Sequence, residues 1–400
     1  MKIAIIGAGA AGLVCACLIK EGHEVVVFER NETAGKKLLM TGGGRCNLSN
    51  FVGVQDFLHS VSRGREFIEY AINEFGPSDA MDFFEGLGVN LKVEPDGKVF
   101  PSSNKGAEVR DALLKCAVDR GVEFRFNQRI LGVEKRDGLF GVAVDSGKLY
   151  FDKVVIGTGG LSYSKTGSSG DGYEFGRGFG HEVVDARASL CGLVLKKAAG
   201  FMGTSLECEV EVMDKDKKVV VTKECGNVMF TKRGLGGPVI FKMSSLFDGD
   251  RIEGCFLRVN FVPRLKRQQF FGELRKMGAD KPFYLFRKWL PINICNWLIE
   301  VGGIDKGKAL GKMSESEKDR LFGVLTGAVL EIEDFENIEG AIVTRGGINL
   351  GEIDKKTMQS KLVHGLYFVG EVLDIDGLTG GFNLQIAFST AAACAKSLSL

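Results

Sequence analysis

The chain has 400 residues, of which 44% are hydrophobic and 26% are charged, a composition that excludes a disordered polypeptide and favours two or three globular domains. Its 52 Lys and Arg residues nearly balance its 51 Asp and Glu residues, so no net field of the whole chain attracts nucleic acid or anionic lipid. The ten cysteines form no CxxC pair and no Cys/His group with zinc-ligand spacing, so we predict no metal site. Without a leader segment or a long apolar run, we expect a cytoplasmic protein that does not span a membrane.

The chain opens with the pattern of a dinucleotide-binding unit. Residues 3–6 predict a buried strand, and GAGAAG follows at positions 7–12 before an apolar helix that runs to about Lys20. The first glycine permits a tight turn, the second lets the backbone approach a pyrophosphate, and the third lets helix and strand pack closely, while the helix N-terminus attracts phosphate. The predicted phosphate contacts are Gly7, Gly9, Ala10, Ala11 and Gly12.

A second predicted strand, over residues 24–28, ends in an acidic residue. Glu29 is placed to accept hydrogen bonds from the ribose hydroxyls of an adenosine, and we include Arg30 beside it among the predicted cofactor residues. All five features fit the dinucleotide-binding pattern: the first strand, the glycines, the helix, the second strand and the acidic residue. Nucleotide binding is therefore favoured over a merely structural turn. The motif alone does not choose between NAD and FAD.

A second glycine-rich loop, TGGGRCN at positions 41–47, carries cations and polar groups of the kind that can wrap a flavin. With the two lysines that precede it, it provides the predicted cofactor residues Lys36, Lys37, Thr41, Gly43, Gly44, Arg45, Cys46 and Asn47.

Two residues of this loop are also our candidates for catalysis. Because Cys46 stands beside Arg45, one interpretation is that its thiol has a lowered pKa and acts as a general acid when hydride is added to a conjugated C=C bond. The alternative is a buried small side chain that packs near the ring, and this is the favoured interpretation. Arg45 is a candidate for binding substrate or for neutralising a cofactor phosphate, with the phosphate favoured.

The far end of the chain repeats the strand, turn and helix pattern. Residues 365–371 predict a buried strand leading to an acidic turn, and residues 377–381 open a helix. Such a unit can place a helix N-terminus at the pyrimidine end of a flavin, where negative charge accumulates on reduction. The predicted cofactor residues here are Gly370, Glu371, Asp374, Gly381, Phe382, Asn383 and Leu384.

Together these blocks resemble the BaiN/YhiN-like flavoproteins, also described as aminoacetone oxidase-like FAD-binding enzymes. The resemblance runs from end to end and is carried by GAGAAG, GKKLLMTGGGRCNLSN (35–50), VVIGTGG (154–160) and GLYFVGEVLDIDGLTGGFNLQIA (365–387). It implies FAD held non-covalently at these four segments, which adds Thr158, Gly159 and Gly160 to the predicted cofactor residues. Phe382 stands where Tyr is commoner in the family, and Ser389-Thr390 where a glycine is frequent.

The predicted fold class is α/β, with a Rossmann-like FAD-binding domain built from both chain ends, an inserted small β-barrel domain and a helical insert. Short strands are expected around a hairpin turn at Asp137-Gly138, and the backbone of Ile130 is the expected adenine neighbour by analogy with similar flavoproteins. The alternative is that Ile130 is a plain core residue. The predicted boundaries are 1–190 and 346–400 for the FAD-binding domain, 191–262 and 329–345 for the barrel, and 263–328 for the helical insert.

Three functions are compatible with these patterns. The leading one is an FAD-dependent oxidoreductase that passes hydride between flavin N5 and a small organic substrate, a conjugated C=C bond or an amine, as the resemblance implies. Because no second GxGxxG follows a predicted strand, we expect NAD(P)H to reduce the flavin by docking transiently on its open face. The alternatives are a ribosomal RNA dihydrouridine synthase and a non-catalytic FAD-binding module.

One segment bears on the RNA alternative. Between Arg258 and Lys288 nine Lys or Arg residues accompany only two acidic residues, and aromatic residues are interleaved or follow directly, among them Phe270, Phe271, Tyr284, Phe286 and Trp289. That composition can bind RNA by charge and stacking. The favoured interpretation is an insert whose aromatics form its own core and whose cations are solvated. The sequence leaves the oligomeric state open.

Overall fold

The computed structural model describes residues 1–200, 202–247 and 252–399. The chain forms two compact units. The first combines residues 1–189 with 338–400, so both chain ends contribute to it, and the second is the continuous stretch 190–337.

The N-terminal segment alternates strands with helices. Its strands are β1 (Lys2–Ile6), β2 (Glu24–Phe28), β3 (Ser49–Asn50), β4 (Val61–Arg63), β5 (Leu91–Val93), β6 (Lys98–Pro101), β7 (Glu123–Arg125), β8 (Gly132–Arg136), β9 (Leu139–Val144), β10 (Gly147–Phe151), β11 (Lys153–Ile156) and β12 (Val183–Ser189). Its helices are α1 (Ala10–Leu18), α2 (Val54–His59), α3 (Arg65–Glu74), α4 (Pro77–Gly86), α5 (Gly106–Asp119) and α6 (Asp171–Gly178).

The middle and C-terminal segments complete the chain. The middle segment contains β13 (Leu193–Leu195), β14 (Ser205–Met213), β15 (Val219–Phe230), β16 (Gly234–Gly236), α7 (Pro238–Leu246), β17 (Phe256–Asn260), α8 (Arg267–Lys276), α9 (Pro282–Phe286), α10 (Ile292–Val301), α11 (Glu315–Gly327) and β18 (Ala328–Phe335). The C-terminal segment contains β19 (Val343–Ile348), β20 (Leu366–Phe368), β21 (Asp376–Gly377) and α12 (Phe382–Leu398).

The first unit is organised around a five-stranded parallel sheet in the order β20-β11-β1-β2-β7. Its central strand β1 is apolar and almost wholly buried, as is typical of a strand with helices on both faces. The chain moves from β1 to β2 on one side, and β11 later pairs with β1 on the other, so the strand order reverses at β1. Ligands of such sheets bind outside the carboxyl ends of the strands at this reversal.

Helix α1 packs on β1 and β2 of this sheet and against α12. Seven of the nine residues of α1 are buried, because the helix is apolar on all sides. A three-stranded antiparallel meander, β10-β9-β8, accompanies the sheet, and its first hairpin turns at Asp137 and Gly138, which have φ angles of 51° and 84°. Two successive positive φ angles are the geometry of a two-residue hairpin turn.

The second unit is a closed barrel in the order β13-β16-β15-β14-β17-β18, with β13 paired to β18. Helices α8 to α11 lie between β17 and β18 in the chain. These features confirm the predicted fold class. One detail differs, because β18 ends at Phe335 and Val343–Ile348 pairs with β12 in the first unit rather than with the barrel. Both segments contain β-branched residues, which favour a strand but do not specify its partner.

Candidate functional site

The three glycines of the first turn differ in what surrounds them. A Cβ on Gly7, which has φ +103°, would lie 2.5 Å from the carbonyl oxygen of Gly157, and one on Gly12 would lie 1.9 Å from that of Gly7. A Cβ on Gly9, the residue before α1, would have no heavy atom within 4 Å. Protein packing therefore requires glycine at positions 7 and 12 but not at position 9. The open space over Gly9, at a helix N-terminus, is what a bound pyrophosphate requires.

Glu29 is held firmly at the end of β2. Its carboxylate is 8% exposed, and one oxygen accepts a hydrogen bond from the Ala8 backbone N–H at 3.0 Å. The other oxygen accepts from the backbone N–H of Asn31 at 2.9 Å and from its side-chain amide at 2.6 Å. Each carboxylate oxygen has two acceptor sites, so the oxygen that Ala8 bonds retains one site for a ribose hydroxyl. Arg30 beside it bonds Ser169 and lies 3.5 Å from Asp171.

The TGGGRCN loop departs from regular helix. Gly42, Gly43 and Gly44 all have positive φ, between 58° and 89°, and so does Cys46 at 61°. A Cβ on Gly43 would have no heavy atom within 4 Å, so this loop also presents open backbone. The side-chain oxygen of Asn47 is buried and has no hydrogen-bond partner in the described part of the chain. An unpartnered buried acceptor is rare in proteins, and a ligand N–H would satisfy it.

The catalytic interpretation of Cys46, which requires a lowered pKa, is wrong. The side chain is completely buried, and this burial raises the pKa of the Cys46 thiol to about 12, with a hydrogen bond from Thr41 offsetting part of the rise. Arg45 does not compensate, because its guanidinium pairs with Glu94 at 2.7 Å and stacks over the ring of Phe100 at 4.0 Å from its centroid. Cys46 is therefore a neutral, packed thiol, the alternative that the sequence favoured.

A polar network joins the two chain ends at the carboxyl edge of the sheet. Lys37 Nζ lies 2.6 Å from a carboxylate oxygen of Glu371 and 2.6 Å from the hydroxyl of Ser162. The second oxygen of Glu371 accepts from the Thr344 backbone N–H at 2.9 Å and from the Ser162 hydroxyl at 3.0 Å. Lys37 and Glu371 were predicted, whereas Ser162 and Thr344 belong to no motif that we recognised. Lys36, the residue before Lys37, has its Nζ 3.9 Å from a carboxylate oxygen of Glu32.

The turn after β11 lies beside this network. A Cβ on Gly159 would lie 3.0 Å from Ser168 and 3.8 Å from Glu371, and one on Gly160 would overlap the Thr344 hydroxyl at 2.5 Å. The hydroxyl of Thr158 and that of Tyr173 are both buried without a hydrogen-bond partner among the described residues. Burial raises the pKa of Tyr173, and the nearby carboxylates of Glu371 and Asp374 add to this rise. These hydroxyls are a second set of unsatisfied polar atoms in this unit.

The start of α12 is fixed against β3. Gly381 precedes the helix with φ +101°, and a Cβ there would lie 2.3 Å from the carbonyl oxygen of Ser49. The side chain of Asn383 accepts from the backbone N–H of Gly377 at 2.9 Å and donates to its carbonyl at 2.8 Å. Gln385 is fully buried and accepts from the Ser49 hydroxyl at 2.7 Å. The N–H groups of the first helical turn, which includes Leu384, have no acceptor within the helix and are available to an anion.

The residues that depart from the family pattern have partners in the protein. Phe382 is 7% exposed and packs edge-on against Phe57 at 5.2 Å. The Ser389 hydroxyl donates to the carbonyl of Phe75 at 2.6 Å, and the Thr390 hydroxyl accepts from the backbone N–H of Gly370 at 3.0 Å. These side chains contribute to packing beneath the site.

Asp374 is committed to protein partners. One of its oxygens accepts from Arg63 Nε at 2.7 Å and the other from the backbone N–H of Gly346 at 3.1 Å. Burial raises the pKa of this carboxyl, although Arg63 opposes the rise. Both oxygens are thus held by protein donors, and each retains a second acceptor site. A second and deeper ion pair, Arg345 with Asp376, was not predicted, and its two contacts are both 3.1 Å.

Two further residues noted in the sequence lie in packed surroundings. Ile130 is 4% exposed and follows β7, so both its core role and its predicted adenine contact fit its position. His181 is buried, with one ring nitrogen 2.9 Å from Glu352 and the other 2.8 Å from the Ser360 hydroxyl. These contacts make His181 a structural residue.

The buried aromatics of the basic segment pack into the hydrophobic core of the second unit. Phe270 and Phe286 are fully buried, and Phe271 and Trp289 pack on Phe270 at 5.3 and 5.9 Å, whereas Tyr284 is exposed. Five of its nine cations form ion pairs with acidic residues: Arg258, Arg264, Arg267, Lys276 and Lys288. The structure therefore favours the interpretation that the aromatics serve packing.

Residues 1–200, 202–247 and 252–399 lack two kinds of feature. No group of three or more His, Cys, Asp or Glu side chains in these ranges is arranged to hold a metal ion. None of the helices described is both long enough and apolar enough to cross a membrane.

Comparison with known proteins agrees with this geometry. The family described as HI0933-like protein Rossmann domain matches residues 1–397. The chain is 32% identical over 403 residues to the ribosomal RNA dihydrouridine synthase of Escherichia coli, an alignment that covers 98% of this chain and 97% of that protein. It is 27% identical over 401 residues to the 3-dehydro-bile acid delta(4,6)-reductase of Clostridium scindens, with 97% of each chain covered.

A solved structure extends the comparison to the fold. The open conformation of a flavocytochrome c3 fumarate reductase superposes on 100% of this chain and 78% of that chain, with a TM-score of 0.53 and 16% identity. At that identity the likeness concerns the fold alone. Because the family matches residues 1–397, the chain belongs to the HI0933-like Rossmann-domain family of FAD-dependent oxidoreductases. This family includes the BaiN/YhiN-like flavoproteins.

Proposed function

We propose that this protein is an FAD-dependent reductase that adds hydride to a carbon–carbon double bond conjugated to a carbonyl group. The observation that carries the proposal is the open cradle over Gly9 at the N-terminus of α1, in a fold whose carboxyl edge gathers the polar groups of both chain ends. Dihydrouridine is uridine with its 5,6 double bond saturated, and the bile-acid relative is also named for reducing a double bond. The two relatives thus share one class of reaction.

The chain's residues fit FAD in distinct roles. We infer that the N–H groups at the start of α1 bind the pyrophosphate and that Glu29 accepts from the ribose hydroxyls. The unpartnered oxygen of Asn47 offers an acceptor for a flavin N–H, and the N-terminus of α12 offers positive potential to the flavin's pyrimidine end. When bound, FAD supplies N5 as the atom that accepts and delivers hydride.

We further propose that NAD(P)H is the reductant and that it binds only transiently. The support is the sequence, in which no second GxGxxG follows a strand. Cys46 has no part in our proposal for proton delivery, because it is buried and neutral. The proton that completes reduction of the double bond then comes from water or from an acidic group of the substrate itself.

The favoured substrate is a uridine of ribosomal RNA, which is supported by 32% identity over 98% of the chain with a synthase of that name. A small molecule with a conjugated C=C bond is the second candidate. The basic segment supports this second candidate, because its aromatic side chains are mostly buried and five of its cations form ion pairs with acidic residues.

A direct assay separates the two. The purified protein with NADPH is incubated either with ribosomal RNA transcribed in vitro, which contains no dihydrouridine, or with a steroid that carries a 3-oxo-4-ene group. Nucleoside mass spectrometry should find dihydrouridine at a defined position of the RNA. Turnover of the steroid with no dihydrouridine in the RNA would favour the small-molecule function, and no turnover of either would refute the proposed chemistry.

Charge reversal tests whether the basic segment binds that RNA. Replacing Arg264, Lys266 and Arg267 by Glu should weaken RNA binding and flatten its dependence on salt. The matched control is the triple Glu variant of Lys215, Lys217 and Lys218, three exposed lysines on the β14–β15 hairpin. Equal losses in both variants would show that net charge alone is responsible.

A further inference from the structure

Three segments of the chain meet beside Glu29, the proposed ribose contact. The first is the end of β2 with the residues that follow Glu29, the second is the stretch 125–130 at the end of β7, and the third is the loop 161–170 that leads into α6. The first two are joined through their backbones, because the N–H of Gln128 donates to the carbonyl of Glu29 at 2.9 Å. The second segment is therefore fixed alongside the proposed ribose site.

Side chains of the first segment hold the loop 161–170. The side-chain amide of Asn31 donates to the backbone carbonyl of Thr166 at 2.9 Å, and the guanidinium of Arg30 donates to the hydroxyl of Ser169. The loop is thus bonded directly to the two residues that follow the ribose carboxylate in the chain.

An ion pair joins the second segment to the third. Asp171, the first residue of α6, accepts from Arg129 through both carboxylate oxygens, at 2.9 Å from Nη2 and 3.1 Å from Nε. Arg30 Nη1 lies 3.5 Å from the same carboxylate. A bidentate contact between a guanidinium and a carboxylate fixes the relative position of the two segments that carry them. Each of the three segments is therefore bonded to the other two.

The ion pair is the connection in this ring that solvent reaches. The Arg129 side chain is 53% exposed and that of Asp171 is 19% exposed. Salt and water weaken such a partly exposed pair far more than they weaken backbone hydrogen bonds between packed segments. We therefore expect the ring to open first between Arg129 and Asp171.

We propose that Arg129 and Asp171 form a latch that closes the loop 161–170 over the adenosine end of FAD and slows its release. The inference rests on the proposed function, because it takes Glu29 as the ribose contact. Arg129 and Asp171 are positioning residues in this proposal, since they act on the cofactor by holding the loop beside Glu29.

The test measures the release of FAD from the native holoprotein. An excess of the apo form of an unrelated FAD oxidase captures FAD as it leaves, and the activity of that oxidase reports the rate of release. Arg129→Gln and Asp171→Asn should each speed release about fivefold, the scale of a strong surface ion pair. The double variant should be no faster than Asp171→Asn alone, because all three variants lose the same interaction. Added salt should speed release from the wild type much more than from the variants.

A matched control lies on the same helix. Glu174 pairs with Arg177 on α6, and their side chains are 72% and 49% exposed. Glu174→Gln removes the same charge as Asp171→Asn without touching the latch, so it should leave the rate of release unchanged. An equal increase in this control would show that net charge is responsible and would overturn the proposal.

Thermal unfolding of the apoprotein separates the latch from a merely structural pair. The melting temperatures of Arg129→Gln and Asp171→Asn should stay close to that of the wild type, since the pair is partly exposed. Faster release matched by a clearly lower melting temperature would mark the pair as structural and overturn the latch. A chain that binds no FAD would refute the proposed function itself, whereas bound FAD that leaves both variants at the wild-type rate would overturn only the latch.

Discussion

Gly9 offers the sharpest test of the cofactor site, because its surroundings separate binding from folding. An added Cβ would have no protein atom within 4 Å, and Gly9 has φ −82°, which any residue adopts. Gly9→Ala should therefore cost the apoprotein no more than about 1 kcal/mol, the scale of a weaker helix N-cap. The methyl group would occupy the space that a pyrophosphate needs and would break contacts with the N-terminus of α1.

The expected loss of FAD affinity follows from those contacts. Hydrogen bonds to charged groups contribute about 1.5–3 kcal/mol each, so loss of two gives at least about 3 kcal/mol, or more than about 100-fold in Kd. The assay titrates FAD into apoprotein by quenching of flavin fluorescence, with thermal unfolding followed in parallel. The matched control is Gly12→Ala, whose Cβ would lie 1.9 Å from the carbonyl oxygen of Gly7, and it should destabilise the fold by about 3 kcal/mol or more. Wild-type FAD affinity in Gly9→Ala would refute the assignment of the turn.

Three further predictions concern other residues. Arg345→Leu removes an ion-pair partner of the fully buried Asp376 and should cost about 3–5 kcal/mol in the free energy of unfolding by urea; a loss under about 1 kcal/mol would contradict the importance of this pair. Because burial raises the pKa of Cys46 from 9.0 to about 12, the folded state keeps a proton that the unfolded state loses, so stability should fall as pH rises from 9 to 12. Cys46→Ala should lessen this alkaline loss and should slow substrate reduction by less than about tenfold, since general acids contribute about 100-fold or more. Glu29→Gln should weaken FAD binding in calorimetry by about tenfold or more, and unchanged affinity would remove Glu29 from the ribose site.

The sequence predicted the glycine turn well because its requirements are local. The pattern of strand, glycines and helix fixes which positions need close packing, and the contacts of Gly7 and Gly12 follow that pattern. The fold class was predictable for the same reason, since strands that alternate with helices and a strand-rich middle segment indicate its layers.

Side-chain partnerships across long chain separations were not predictable. Lys37 and Glu371 are 334 positions apart, and Ser162 and Thr344, which complete their network, carry no motif. Arg45 stands next to Cys46 in the sequence, yet it pairs with Glu94 and stacks on Phe100, so adjacency gave the wrong pKa. The barrel boundary predicted at residue 345 differs for a similar reason, because strand propensity does not specify which sheet a strand joins.

The visible spectrum of the purified protein, recorded without oxygen, tests the central claim most directly. Our account predicts a flavin spectrum with about one FAD per chain, bleaching on addition of NADPH or NADH, and return of the oxidised spectrum when ribosomal RNA without dihydrouridine is added. Return with a small enone but not with RNA would favour the second substrate class. A protein that retains no flavin, or a flavin that neither nicotinamide nor substrate changes, would contradict the account.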